Sequence, residues 1–210
     1  MTRLAILVAL TILAIFPIPA RAALIFSLQP SITANAGSTD NQFDVLLTNT
    51  GSSAVTVAAF SFGIVTSDAS ITFTGATIST VSPYIFAGDS FDGANSFPLN
   101  TVPPPPGQTL EASDLSNSGL GDMVGPGDTV GVGRIMFNVA NGAASATAPV
   151  TFESFPTTSL SDADLNNLAF SSDNGSITTN AMSGVPEPGT GFQVAAALVA
   201  FAFIFLRRVW

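Results

Sequence analysis

Between residues 23 and 185 apolar and polar side chains alternate, and helical spacing is missing. A period of two marks half-buried strands. In residues 42–50 (QFDVLLTNT), Phe43, Val45 and Leu47 share one face. In residues 54–66 (AVTVAAFSFGIVT), Val55 and Val57 lie on one phase, and Phe60, Phe62 and Ile64 on the other. The slip at Ala58-Ala59 predicts a β-bulge. Residues 70–79 carry Ile71 and Phe73, then Ala76 and Ile78. Residues 129–140 (TVGVGRIMFNVA) carry Val130 and Val132, then Ile135, Phe137 and Val139, with the slip between Gly131 and Gly133. Glycine makes a bulge cheap there. Residues 149–155 and 170–179 complete the set, and Asp173-Asn174-Gly175 signals a tight turn. Short strands between turn signals predict an all-β domain, an antiparallel β-sandwich or a barrel.

Two apolar runs flank this domain. Residues 4–16 (LAILVALTILAIF) follow Arg3 and are broken by Pro17 and Pro19. Ala20-Arg21-Ala22 then supplies the small residues of an A-x-A site. This is the pattern of a secretory signal peptide over residues 1–22, with cleavage by signal peptidase between Ala22 and Ala23. The run is short for a helix of ~20 residues that spans a bilayer. At the other end, residues 192–206 (FQVAAALVAFAFIFL) contain one polar residue, Gln193. Counted from Gly189 the stretch is 18 residues, 189–206, enough for a thin or tilted crossing. Arg207 and Arg208 follow it and stay in the cytoplasm by the positive-inside rule, as Arg3 does. Residues 23–185 are therefore expected outside the cytoplasm.

Composition narrows the chemistry. Only 9% of the residues are charged, and Cys, His and Lys are absent. Without His or Cys there is no Ser-His or Cys-His nucleophile and no His- or Cys-ligated metal. Without Lys there is no Schiff base and no P-loop. Residues 23–185 hold one cation, Arg134, against 13 Asp and Glu. Such a surface cannot neutralise phosphates, so nucleic acid is excluded as a partner.

Few residues remain as candidate sites. Asp162, Asp164 and Asn166, with Asp173 at the twelfth position, match the oxygen ligands of an EF-hand-like calcium loop. Asn167 stands where that loop needs Gly, and Asp173 is shorter than the usual Glu. The stretch reads as an Asp-rich loop before a hairpin, and no cofactor is expected. Asp89 and Asp92 form a second acidic pair. Glu111 and Glu153 are the only glutamates of the domain, and paired carboxylates can hydrolyse glycosides. With no Trp and one Tyr in the domain, sugar-stacking platforms are scarce, so a non-catalytic protein is expected. Residues 83–93 (PYIFAGDSFDG) bring Tyr84, Phe86 and Phe91 together, and residues 102–107 (VPPPPG) form a stiff polyproline segment. Both belong to one long connection, 80–128, across an edge of the sheets. It serves either as a binding loop for a carbohydrate or protein ligand or as a lid over a hydrophobic edge.

Two resemblances add to this reading. Pro186-Glu187-Pro188, then a single apolar helix, then Arg207-Arg208 resembles the PEP-CTERM sorting signal of Gram-negative bacteria. The resemblance covers residues 186–210. It implies an inner-membrane-anchored precursor whose Pro-Glu-Pro element is recognised by an exosortase-type enzyme. It implies removal of the helix, then release or passage to the cell surface, in cells that make exopolysaccharide and biofilm. The prolines fix the backbone on both sides of Glu187 and keep it extended, as proteases bind it. Within the domain, LLTNTGSSAV, GDTVGVGRIMFNVANGAASATAPVTF and SDADLNNLAFSSDNGSITT occur in an order similar to the cohesin-type β-sandwich, a jelly-roll relative of the immunoglobulin fold. Cohesins of cellulosomes bind dockerins through one sheet face. The resemblance carries the fold to this chain and leaves the dockerin behind.

Overall fold

The computed structural model describes residues 24–29, 32–91, 99–102, 107–154 and 156–182. Every described element is a strand, and two sheets pack face to face. One sheet runs β13 (Phe170–Asp173), β1 (Leu24–Leu28), β3 (Asn41–Asn49), β10 (Thr129–Val139), β6 (Ile71–Thr77). The other runs β2 (Ile32–Asn35), β14 (Gly175–Asn180), β11 (Ala146–Phe152), β5 (Ala59–Thr66), β8 (Thr109–Leu115), β7 (Asn100–Val102). β12 (Ser159–Ser161) continues the β11 edge of β5. A separate ribbon pairs β4 (Val55–Val57) with β9 (Asp122–Val124).

The alternating residues fill the space between the sheets. Phe26, Phe43, Phe73 and Phe137 come from the first sheet, and Phe62, Ile64 and Leu110 from the second; all are buried. Phe43 meets Phe73 and Phe137 at tilted or edge-on angles with centroids 6.4 and 5.8 Å apart. These are favoured aromatic geometries. A β-bulge between Gly131 and Gly133 returns Ile135, Phe137 and Val139 to the inner face.

Three sequence expectations change. The slip at Ala58-Ala59 is a change of partner and not a bulge. β4 pairs with β9 in the ribbon, whereas β5 enters the second sheet. Asp173-Asn174-Gly175 makes no hairpin turn. β13 lies in the first sheet and β14 in the second, so Asn174 marks a crossing between layers. Its side-chain oxygen accepts the Phe152 N–H at 3.0 Å. The sandwich is also not wholly antiparallel, because β1 pairs with β13 and β2 with β14 in parallel.

That parallel pairing sets the polarity of the domain. The first and last segments cross between the sheets side by side, Leu24 opposite Phe170 and Asn35 opposite Asn180. The chain therefore enters at one pole and leaves at the other. Loops 49–58, 78–91, 115–128 and 161–169 gather at the entry pole, with Leu24 and Asn49. Turns 36–40 and 140–145 lie at the exit pole, where Ala36 N–H donates to the Asn180 carbonyl.

Candidate functional site

The entry pole holds most of the candidate residues. The connection 80–128 is not one excursion across an edge. Its second half contains β8, a full member of the second sheet between β5 and β7. After β6 the chain turns back, and Tyr84 pairs with Gly131 beside the start of β10. Tyr84, Ile85 and Phe86 then tuck between the sheets and are buried. Phe86 and Phe62 both stack on Phe60, with centroids 5.7 and 6.1 Å from it. This part of the loop is a lid over the core, and Phe91 remains partly exposed.

Asp114 anchors the lid. β8 alternates Leu110, Ala112 and Asp114 inward, so this carboxylate is buried. It accepts the Tyr84 hydroxyl at 2.6 Å and the Ser90 hydroxyl on one oxygen, and the Leu115 N–H at 2.8 Å on the other. A buried polar group is tolerated when it is hydrogen-bonded in this way. Beside it lies a cavity of about 420 Å³ lined by Ile78, Ser79, Tyr84, Phe86, Gly88 and Ser90.

Asp89 is engaged by the neighbouring loop. It accepts the hydroxyls of Ser116 and Ser118 and the Ser118 N–H. These bonds, that from Ser116 foremost, hold its carboxyl below the usual carboxylate range. Asp122 shifts the opposite way, because partial burial and then the charge of Asp89 disfavour its ionised form. A raised carboxyl stabilises the fold fully below its ordinary value, and that stability is lost as pH rises through the raised value. Asp122→Asn is therefore expected to raise the melting temperature at pH 7 by about 1–3 °C. The gain should vanish at a pH below the ordinary carboxylate range. Thermal melts of both proteins across pH 3–7 check this, and an equal or lower midpoint at pH 7 refutes it.

The Asp162 loop ligates itself. Asp162 Oδ1 accepts the N–H groups of Asp164 and Asn166, each at 2.9 Å, and Oδ2 accepts the Asn166 amide at 3.1 Å. These bonds, the Asn166 side chain first, lower its carboxyl. Asp173 lies in β13 opposite Ser27, in the other sheet. Asp162, Asp164 and Asn166 thus form a closed turn, and Asp173 is not brought to it. Among the described residues no three His, Cys, Asp or Glu side chains gather to hold a metal ion.

The two glutamates do come together on one face. Glu111 pairs directly with Gly63 across β8 and β5. Glu153 donates its N–H to the Gly63 carbonyl from the other side. A side chain at Gly63 would meet Thr157 Cγ2 at 2.3 Å and Glu153 Oε2 at 2.7 Å. The two glutamates therefore meet at a glycine on the outer surface of the second sheet, Glu153 leaning over it with Cβ 3.3 Å from where a Gly63 side chain would begin. The 153–158 loop lies over this glycine, with Thr158 Oγ1 accepting the Gly63 N–H. Sequence spacing gave no sign of this juxtaposition; only the strand register reveals it.

Several candidates lie outside the described residues: Ala20, Ala22 and Ala23, Asp92, the prolines of the 102–107 segment, Pro186-Glu187-Pro188, the 189–206 helix and Arg207-Arg208. Among the described residues no helix is long and apolar enough to cross a membrane.

No protein-family model matches the chain, and no curated protein matches it. Its fold has solved counterparts. The cohesin CaCohA2 from Clostridium acetobutylicum is similar with a TM-score of 0.56 at 14% identity, covering 75% of this chain and 91% of that one. The OlpC cohesin of Clostridium thermocellum, solved with the dockerin Doc435, gives 0.55 at 12% identity over 78% and 97%. A non-cellulosomal cohesin from the archaeon Archaeoglobus fulgidus gives 0.52 at 12% identity over 77% and 94%. The sandwich described above is thus a cohesin-like β-sandwich, shared across organisms at identities that carry the fold alone.

Proposed function

We propose that the chain is an exported, non-catalytic protein of the Gram-negative cell surface or extracellular matrix, in which the sandwich acts as a structural, protein-binding module. It is made as an inner-membrane-anchored precursor. Signal peptidase removes residues 1–22, and an exosortase-type enzyme recognises Pro186-Glu187-Pro188 and removes the helix before Arg207-Arg208. The product then joins the exopolysaccharide or biofilm outside the cell. The observation that carries this reading is Pro186-Glu187-Pro188 set directly before one apolar run and Arg207-Arg208, with the Ala20-Arg21-Ala22 site at the other end; the fold is compatible with it. Residue 182 leaves the pole opposite the clustered loops, so a membrane-tethered tail would hold those loops away from the bilayer. The cohesin solved with a dockerin supports a protein as the class of partner, without naming which protein. The negative charge of the domain keeps it soluble and repels other polyanions.

The intact mass of the mature protein tests both processing events together. The expected species begins at Ala23 and weighs about 17 kDa, the share of the 21.4 kDa chain that residues 23–185 carry. A surface-located product that keeps the full 21.4 kDa, or loses only the N-terminal segment, refutes the proposal.

A further inference from the structure

Exposed apolar side chains are unevenly placed on this domain. Among the described residues, Val81, Phe91, Leu115, Leu120, Met123, Leu165 and Met182 are the large exposed ones, and Met182 alone sits at the exit pole. Four of the rest form one rim. The Ala58 N–H donates to the Ser161 carbonyl, and the Ala58 carbonyl accepts the Ser116 N–H, both at 2.8 Å. Loop 116–121 and turn 162–166 thus lie on either side of one backbone strand, ~10 Å apart. Leu115 is 45% exposed and Leu120 is 73% exposed on one side, and Leu165 is 83% exposed on the other. Met123, 71% exposed, stands on β9 opposite Thr56 beside the same crossing.

Leu165 carries a second signal. Its φ is +64°, a left-handed conformation that leucine disfavours. The Asp162 carboxylate, bonded to Asp164 and Asn166 on both sides of it, holds the turn there. Those bonds fix the backbone of the turn, and none of them needs a large apolar side chain at position 165. Strain retained at an exposed apolar side chain fits a surface that is covered by a partner.

Charge decides which partner. Asp89, Asp122, Asp162 and Asp164 stand among these apolar residues, and Arg134, the one cation of the described residues, is committed to Asp44 in the first sheet. A second copy would bring the same negative rim against this one and be repelled. We propose that this rim docks a protein segment that carries Lys or Arg among apolar side chains. The inference rests on the protein-binding reading of the sandwich and is independent of how the tail is processed.

The test uses the full chain in phosphatidylcholine nanodiscs and three fluorescent peptides that combine Leu with Lys, Leu with Glu, and Ser with Lys, each in the i, i+3, i+4, i+7 spacing of an amphipathic helix. Anisotropy at 0.15 M salt should show binding of the Leu/Lys peptide only. The double variant Leu120→Ser with Leu165→Ser should weaken it about tenfold or more. Both positions are exposed, so an unchanged thermal midpoint is expected and confirms that the variant is folded. Equal binding of the Leu/Lys peptide by wild type and variant would place the contact elsewhere; the protein-binding reading would then stand and the rim would not. Equal binding of the Ser/Lys peptide would reduce the effect to charge and overturn the proposal. Absence of any peptide binding, or a variant that instead loses retention in purified matrix polysaccharide, would also overturn it.

Discussion

Arg134→Ala should be among the most destabilising single changes to a partly exposed residue of the domain. Asp44 lies on β3 and is 3% exposed, although strand alternation points it away from the core between Phe43 and Val45. It is covered because the chain after β6 folds over it. Its carboxylate accepts Arg134 Nε at 2.7 Å, Arg134 Nη2 at 3.2 Å and the Val81 N–H at 2.6 Å. The fork-like pair is strong because both its bonds are charge-assisted, and the bond that Arg134 donates to Asp44 raises the guanidinium above its ordinary value. Removing the arginine leaves a buried carboxylate with one backbone donor. Breaking a buried pair costs about 3–5 kcal/mol. Arg134 keeps contact with solvent, which places this case near ~3 kcal/mol, a large part of the ~5–15 kcal/mol that holds a domain together. For a domain of this size that is a fall of about 6–12 °C in melting temperature.

The comparison variants make the cause readable. Arg134→Lys keeps the charge and loses the bidentate geometry, so an intermediate midpoint is expected. Replacing both partners, Asp44→Leu with Arg134→Met, removes the desolvated charge altogether and should recover much of the loss. A midpoint of Arg134→Ala within about 2 °C of wild type would mean that solvent already screens the pair. The consequence reaches the loop pole, because Val81 is held by the same carboxylate. Three residues later Tyr84 enters the core, so freeing Asp44 loosens the lid at its first anchor while Asp114 still holds the second.

How far the sequence revealed these elements depends on how each residue signals its environment. β3 and β10 were legible because Phe43, Val45 and Leu47, and Ile135, Phe137 and Val139, alternate along them, and the Gly131–Gly133 slip announced its bulge. β8 was not legible. Its inward positions are Leu110, Ala112 and Asp114, and a small residue and a carboxylate do not read as core. The buried Asp114 becomes sensible only once Tyr84 and Ser90 are seen to donate to it. The change of partner at Ala58 looked like a bulge because a phase slip is identical in both cases. What separates them is the presence of β9, whose three residues are too short to register as a strand. Asn174-Gly175 has hairpin composition, but Gly175 serves close approach instead. A side chain there would meet Leu28 Cβ at 2.9 Å, where the first and last segments cross between the sheets. The candidate site divides the same way. Asp162 and Asn166 were correctly grouped as a loop, but ligand spacing along a chain does not report that strand β13 carries Asp173 into the other sheet. Glu111 and Glu153 meet across Gly63 through register, which no linear pattern contains.

Glu187→Ala is expected to abolish C-terminal processing while leaving export and membrane insertion intact. On the proposed topology the 189–206 stretch would cross the bilayer by its apolar side chains alone, and Arg207-Arg208 would hold its end inside. Neither property depends on Glu187. A plain anchor needs only the helix and the arginines, so Pro186-Glu187-Pro188 adds nothing to insertion. The sequence suits recognition: prolines on both sides of Glu187 disfavour the helical conformation, and on the proposed topology the tripeptide would offer one negative charge just outside the membrane. In a host that carries an exosortase, the wild-type chain should accumulate in the mature form. Glu187→Ala, or Pro186→Ala with Pro188→Ala, should accumulate in the inner membrane as a species about 2.5 kDa heavier, the share of the chain's mass that residues 186–210 carry. Fractionation and blotting against the sandwich read the result directly. The double proline change separates backbone shape from charge: if shape is what the enzyme reads, it fails even with Glu187 present. If wild type and variants all keep the helix, or all lose it, the tripeptide is a stalk and the sorting reading falls. The sandwich is unaffected in every variant, because its last described strand ends at Asn180, and an unchanged thermal midpoint confines any processing defect to the tail.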